Sequence, residues 1–417
     1  MSRAAIISAG LCLGLGALRL GPWADRHRHP LALYGKLELC VAVLAGLSPF
    51  LIDGIRWAYA ALGGTPVLGV GLGTGVRLLL STVVLGVPTF LMGGTLPAVV
   101  RAVQRPGDPN RRNLGLLYAM NTLGSVGGVM LATFLAIEWW GIRQTLWTAV
   151  AVNAVVAATA IRLGRRFAVT PTTPASPAMT SDDGAGASAT PLTSSKLVLL
   201  AAGLTGFVFL SMELVWYRML APLLGGSSYS FGMILAVALL GIGVGGLLYG
   251  AWAKRWAPTP TAFAFTAVVE ALFLALPLAL GDDFALLAAH LRTLGADGFG
   301  SLTLVWFAIT SGAILLPALV AGFQFPLLVA LLGRGQASVG EQVGQAYAFN
   351  TLGAILGSLA GGFGLLPLLG AVGAWRVMIL VMAGLGVITV VWTRAGSRQT
   401  RLLVVLAAPA GGLNMLD

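Results

Sequence analysis

Charge is what this sequence has least of. Asp, Glu, Lys and Arg make up only 9% of its 417 residues, against roughly 25% in an ordinary soluble protein. A chain this long does not cover a water-facing surface with so few charges, which excludes a soluble globular domain. Cysteine is nearly absent too. Cys12 and Cys40 lie inside apolar runs without metal-ligand spacing, so neither a disulfide framework nor a cysteine metal site is expected. His27 and His29 stand in a basic loop with no carboxylate or cysteine cluster, and no metal is assigned to them. No Ser-His-Asp set, HExxH motif or phosphate-binding loop occurs, so the chain is read as a non-enzyme with no cofactor. A cleavable leader is not expected: Arg19 interrupts the apolar run 4–22 and no A-x-A-like site follows it cleanly.

Apolar surface is abundant instead. Hydrophobic residues make up 57% of the chain, and the mean hydropathy is +0.90. Disorder is excluded on the same numbers. The 57 glycines do not recur in a collagen triplet. They suit close approach of membrane helices. A bilayer crossing needs about 20 mostly apolar residues, and eleven such runs are found, near 4–22, 31–52, 77–100, 114–137, 144–161, 197–217, 229–250, 261–280, 301–332, 346–368 and 374–393. They are too long and too continuously apolar for barrel strands.

The net charge of +11, from 25 basic and 14 acidic residues, sits between these runs. Nucleic-acid binding is the weaker reading, because the basic loops alternate. Arg26 and Arg28, Arg101 to Arg112, Arg162 to Arg166, Lys254 and Arg255, Arg334, and Arg394 to Arg401 follow the odd-numbered runs. By the positive-inside rule those loops are cytoplasmic, with the N-terminus outside and the C-terminus inside an inner membrane. The partner so implied is the lipid bilayer. Residues 168–196 are rich in Pro, Ser, Thr and Ala and are expected to be a disordered cytoplasmic linker. It separates an N-terminal five-helix repeat, 1–167, from a C-terminal six-helix repeat, 197–393, with a short tail at 394–417.

The halves match at a spacing of 229 residues. Tyr118-Ala-Met-Asn121-Thr-Leu-Gly124 pairs with Tyr347-Ala-Phe-Asn350-Thr-Leu-Gly353, and Gly128, Phe134 and Gly141 pair with Gly357, Phe363 and Gly370. Pro88, Gly93 and Pro97 pair with Pro317, Gly322 and Pro326; Gly14, Gly16, Gly21, Trp23 and Arg26 pair with Gly243, Gly245, Gly250, Trp252 and Arg255. Matching loops fall on one side of the membrane. The repeat is therefore parallel, about an axis along the membrane normal. Run six has no partner, so the first half is expected to lack its opening helix. The fold class expected is an all-α polytopic membrane protein with two parallel repeats, five helices plus six.

Gly21-Pro-Trp-Ala-Asp25-Arg26-His-Arg28 resembles the loop motif of the major facilitator superfamily, and Gly250-Ala-Trp-Ala-Lys254-Arg255 resembles a weaker copy with Lys in place of Asp. Met212-Glu213-Leu-Val-Trp216-Tyr-Arg218, Gly226-Ser-Ser-Tyr229-Ser-Phe and the two Tyr-Ala-x-Asn-Thr-Leu-Gly segments resemble the membrane region of fused major-facilitator/spermidine-synthase-like proteins. The resemblance implies a gating role for Gly21, Asp25, Arg26, Arg28, Lys254 and Arg255. It also implies a link to polyamine chemistry. No glycine-rich nucleotide loop after a strand is present, so aminopropyl transfer is not assigned to these residues.

The remaining candidates are polar groups inside apolar runs. Glu38 and Glu270 are costly at that depth and suit a cation or proton site, or else a hydrogen-bonded packing role. Glu213 beside Trp216 suits an amine held by charge and cation–π attraction, or an interfacial anchor. Asn121 and Asn350 either line a solute path or hydrogen-bond between helices beside Gly124, Gly128, Gly353 and Gly357. The segments Pro88–Pro97 and Pro317–Pro326 read as interrupted spans or simple kinks, with Gln324 as the polar contact. Two functions stay open: a transporter for a small cationic or proton-coupled solute working by alternating access, and a non-transporting anchor for a separate spermidine-synthase-like enzyme.

Overall fold

The computed structural model describes residues 3–105, 108–166, 195–293, 295, 298–333 and 338–393. The tail 394–417 and all of the linker except 195 and 196 lie outside the described residues. Eleven α-helices run in chain order: α1 (Arg3–Arg26), α2 (Pro30–Ala61), α3 (Gly64–Val103), α4 (Arg112–Leu131), α5 (Ile137–Arg166), α6 (Ser195–Leu224), α7 (Ser228–Trp252), α8 (Pro260–Thr293), α9 (Phe299–Leu332), α10 (Val339–Ala360) and α11 (Leu366–Thr393). No strand occurs among the described residues. Among the described residues, eight helical stretches are long and apolar enough to cross a membrane. Two of them, 112–166 and 339–391, each carry a helix pair joined through a single π-turn. The chain is a multi-pass helical membrane protein.

The 229-residue spacing reappears in the backbone. The π-turns occupy Ala132–Ala136 and Gly361–Leu365, one repeat apart. Each is followed by a glycine outside helical space, Gly141 at φ 74°, ψ 172° and Gly370 at φ 71°, ψ −179°. Only glycine adopts that conformation without strain, which explains its recurrence there. Close packing is duplicated as well. A side-chain carbon at Gly16 would collide with the Phe90 carbonyl, and one at Gly245 with the Leu319 carbonyl, both pairs exactly one repeat apart. Gly93 against Leu13 and Gly322 against Ile242 repeat the pattern. So α1 lies on α3 as α7 lies on α9, backbone to backbone at glycine, the usual way membrane helices gain dispersion contact.

The prolines behave differently from the interrupted-span reading. Both α3 and α9 run through their two prolines, and the non-helical residues are glycines elsewhere, Gly69 in α3 and Gly281 in α8. Helices also extend beyond the expected runs, α2 to Ala61 and α8 to Thr293.

The helices group into two compact units. One holds α1, α2, α3, most of α5 and the first part of α10; the other holds α4, α6 to α9, the rest of α10 and α11. Within the first, a side chain at Gly344 would strike the Ala17 carbonyl, so α10 sits on α1. Within the second, Gly115 lies against Gly246 one repeat away, so α4 sits on α7. Each sequence half thus lends one helix to contacts with the other.

Candidate functional site

Three polar arrangements stand out, and the halves do not share them equally. The first is at the end of α1. Asp25 is 5% exposed and accepts hydrogen bonds from the Gly340 and Glu341 amides, both at 2.9 Å. Those amides open α10 and have no partner inside their own helix, so Asp25 caps α10 from another helix. The Arg101 guanidinium, buried at the end of α3, lies 3.6 Å from the same carboxylate. Gly21 makes room for this, because any side chain there would strike the Gly340 carbonyl. Burial pushes the Asp25 carboxyl above the usual aspartate range; the Glu341 and Gly340 amides and Arg101 pull it back, while the Glu341 charge adds to the rise. Arg26 and Arg28 are exposed.

At the equivalent place on α7 the chemistry changes. Lys254 and Arg255 are exposed and form no ion pair among the described residues. The N-terminus of α4 is capped by its own loop, with Asp108 accepting from the Arg112 and Asn113 amides at 2.8 Å each. The Tyr249 hydroxyl donates to the Asn110 carbonyl at 2.7 Å, and the Asn110 amide donates to the Ala253 carbonyl at 2.9 Å. Arg111, in the left-handed region at φ 54°, donates to the Val329 carbonyl at 3.0 Å. Arg101, Asp108 and Asn110 escape sequence reasoning: Arg101 and Arg111 read as loop charge, and Asp108 is legible only as a cap preceding an apolar run.

The second arrangement is a pair of acids that the repeat does not treat alike. Glu38, half-buried on α2, accepts from the Asn153 amide of α5 at 3.0 Å, with the Tyr34 phenol alongside. Its charge is met by side chains and it ties α2 to α5. Glu270 on α8 is 2% exposed, and Gln324 on α9, 0% exposed, lies against it. The Gln324 amide is near enough to interact with the Glu270 carboxylate, but neither Glu270 Oε2 nor either amide atom of Gln324 makes a hydrogen bond within 3.5 Å among the described residues. Buried polar atoms left open in this way are rare in native proteins.

The third lies on α6, which packs beside α9 and α8 in the same unit. Glu213 makes no hydrogen bond or ion pair among the described residues, and Trp216, one turn on and 1% exposed, has an unpartnered indole N–H. Its ring meets Phe209 edge-on at 6.0 Å. Arg218 is exposed and does not pair with Glu213. The Gly226-Ser-Ser-Tyr229 segment has a plain structural reason. Gly225 and Gly226 turn the chain at φ 89° and 66°, and Ser227 and Ser230 close a capping box on α7. Asn121 is exposed on α4 whereas Asn350 is half-buried on α10. Gly353 and Gly357 pack against α6, whereas an added side-chain carbon at Gly124 or Gly128 would meet no atom within 4 Å among the described residues. No cluster of three His, Cys, Asp or Glu suited to a metal occurs among the described residues.

No family model matches the chain. Over 232 residues it is 32% identical to proteins named polyamine aminopropyltransferase from Mycobacterium tuberculosis and Mycobacterium bovis. The match takes in 53% of this chain and 40% of those relatives, so well under half of their length is represented. Among solved structures, a bacterial homologue of the iron transporter ferroportin in an outward-facing state superposes with a TM-score of 0.58. It is 12% identical and covers 94% of this chain and 89% of its own. The human organic anion transporter MFSD10 gives a TM-score of 0.46 at 16% identity, covering 93% of this chain and 98% of its own. The fold is that of the bacterial ferroportin homologue, an all-helical multi-pass bundle.

Proposed function

We propose that the chain is a secondary transporter that moves a small cationic solute, with proton coupling, past the polar groups of α6, α8 and α9. The observation that carries this reading is the unsatisfied pair Glu270–Gln324. A bare carboxylate inside a bilayer costs about 2.5–3.5 kcal/mol on insertion scales, so it takes up a proton or a cation. An ammonium group offers several N–H donors, which suit the open Glu270 Oε2 and the Gln324 carbonyl together. Glu213 and the face of Trp216 extend the same chemistry along α6. Alternating access then requires that the contact of Asp25 with α10 break and re-form as the repeats rock, with the basic loops and C-terminus on the cytoplasmic side of an inner membrane. In this reading the chain is itself no enzyme.

The test is flux into proteoliposomes holding the full chain, with labelled putrescine, spermidine and methylammonium and an imposed pH gradient. Amine uptake that falls at least tenfold in Glu270→Gln and stays within twofold in Glu38→Gln is expected. Absence of amine flux, or equal loss in both variants, overturns the proposal. A second reading rests on the match to proteins named polyamine aminopropyltransferase: the chain anchors a separate synthase-like enzyme at the membrane. Retention of a soluble aminopropyltransferase on the immobilised chain, with no flux, favours that reading over the first.

A further inference from the structure

At the last turn of α7 an open depression of about 390 Å³ is lined by Ala251, Trp252, Lys254, Arg255 and Trp256. Part of its wall is aromatic. The Trp252 and Trp256 rings stack at 6.2 Å, and Trp252 is braced by Phe323 of α9, edge-on at 5.6 Å. Trp256 is 55% exposed. Lys254 and Arg255 supply the charge. Both are exposed and make no hydrogen bond or ion pair among the described residues. The lining includes no carboxylate among those residues.

These two cations are not needed to finish the helix. The Ala253 and Trp256 carbonyls accept from the Asn110 side-chain amide at 2.9 and 3.3 Å. The Tyr249 carbonyl accepts from the Ala253 amide at 2.8 Å, and the Trp252 carbonyl from the Arg255 and Trp256 amides at 3.0 and 3.2 Å. Basic side chains commonly satisfy the last carbonyls of a helix, and here other donors already do. Nor do they repeat the contact of the first half. One repeat before Lys254 stands Asp25, which accepts from the amides that open α10. Replacing that acid by lysine turns a site that accepts N–H groups into one that donates them.

The depression lies at the end of a membrane-crossing helix, where hydrocarbon gives way to headgroups and tryptophan is enriched. Leu247 and Leu248 are exposed and stand four residues before Ala251 and Trp252. Residues four apart share a helix face, so apolar surface runs on from the depression toward the hydrocarbon. A dissolved phosphate would use the cations alone. A phospholipid uses the cations, the ring pair and the leucines together.

We propose that Lys254 and Arg255, framed by Trp252 and Trp256, hold the phosphate headgroup of an anionic phospholipid whose acyl chains lie along Leu247 and Leu248. Arg255 offers paired N–H donors and Lys254 a compact charge. The site lies wholly within the unit that holds α7 and α9. It is independent of which solute, if any, the protein carries.

The experiment titrates the full chain, in uncharged detergent, with phosphatidylglycerol spin-labelled on an acyl chain, and reads the immobilised fraction by electron paramagnetic resonance. In Lys254→Gln/Arg255→Gln the association constant should fall about tenfold or more, as expected for two basic residues at a membrane surface. It should fall in Trp256→Ala as well and return in Trp256→Phe. It should hold in Arg165→Gln/Arg166→Gln, which removes the same charge from the exposed end of α5. Spin-labelled phosphatidylcholine should bind the unaltered chain no better than phosphatidylglycerol binds the Lys254/Arg255 variant. Equal losses in the two double variants mean diffuse charge and overturn the proposal, as does an affinity indifferent to Lys254→Gln/Arg255→Gln. Displacement of the lipid by millimolar inorganic phosphate or glycerol 3-phosphate also overturns it, in favour of a site for a soluble anion.

Discussion

Glycine-to-alanine changes at matched sites give the sharpest test of the fold, because the repeat supplies its own control. Gly353 and Gly124 lie one repeat apart, at the same position of equivalent helices, and differ in what they face. Alanine in a helix gains about 0.5–1 kcal/mol over glycine from backbone entropy, at either site. At Gly353 the added carbon runs into the Gly203 backbone, which has no flexible end to move aside. Separating α6 from α10 to admit it costs about 1–3 kcal/mol, the range for overpacked cores. At Gly124 nothing lies within 4 Å, so that cost is absent. The propensity gain cancels in the comparison, and Gly353→Ala should be the less stable variant by about 1–3 kcal/mol. Gly357→Ala against Gly128→Ala provides a second matched pair. Reversible unfolding in mixed micelles by SDS titration measures both differences. Equal stability within either pair, or a reversed order, refutes the assignment of α6 to α10.

The remaining predictions concern the contacts around α1, α10 and α11. A side-chain carbon at Gly14 would stand 3.9 Å from the Ala348 Cβ, inside the range for a disulfide; Gly14→Cys/Ala348→Cys should therefore oxidise spontaneously and survive gel electrophoresis without reductant. Asp25→Ala removes the carboxylate beside buried Arg101 and leaves two amides uncapped, a loss of about 3–5 kcal/mol on the scale of broken buried pairs. Amide exchange at Gly340 and Glu341 should quicken by two orders of magnitude or more, while exposed Arg26→Gln leaves it unaltered. Gly370→Ala forces a side chain into a backbone region open to glycine, at about 1–3 kcal/mol, and Gly141→Ala should cost a similar amount in the same SDS titration.

Much of the fold was legible because the sequence carries the same punctuation twice. The glycines at 16, 93, 245 and 322 are spaced as two copies, and in three dimensions they are the places where α1 meets α3 and α7 meets α9. Run counting also found all eleven helices, since hydrophobic length is a local property. Gly141 and Gly370 were visible as a matched pair, but nothing in a glycine distinguishes a chain reversal from a close contact until its neighbours are known. The prolines left interrupted span and simple kink equally open, because proline marks only a lost hydrogen bond, and α3 and α9 absorb that loss without leaving helical space there. The candidate site was legible only as a set of residues. Asn153 lies 115 positions from Glu38, and Asp25 lies 316 from Glu341; periodicity carries no information about such partners.

Duplication has preserved backbone geometry and released side-chain chemistry. The α1–α10 and α7–α4 contacts share glycine placement, yet the first is closed by Asp25 and Arg101 and the second by neutral Asn110 and Tyr249. The two acids diverge likewise. Glu38 is answered by Asn153, while Glu270 keeps an open oxygen beside an unsatisfied amide. A symmetric pair of ion sites would need both carboxylates equally open, and only one is. On the proposed function, open polar atoms confined to one repeat fit a carrier better than a pore. A pore gains from matching rings of charge around its axis, whereas a rocking carrier needs one binding cluster and a contact that can break. On the proposed function, the binding cluster would be the open polar atoms of α8 and α9, and the breakable contact the one Asp25 makes between α1 and α10.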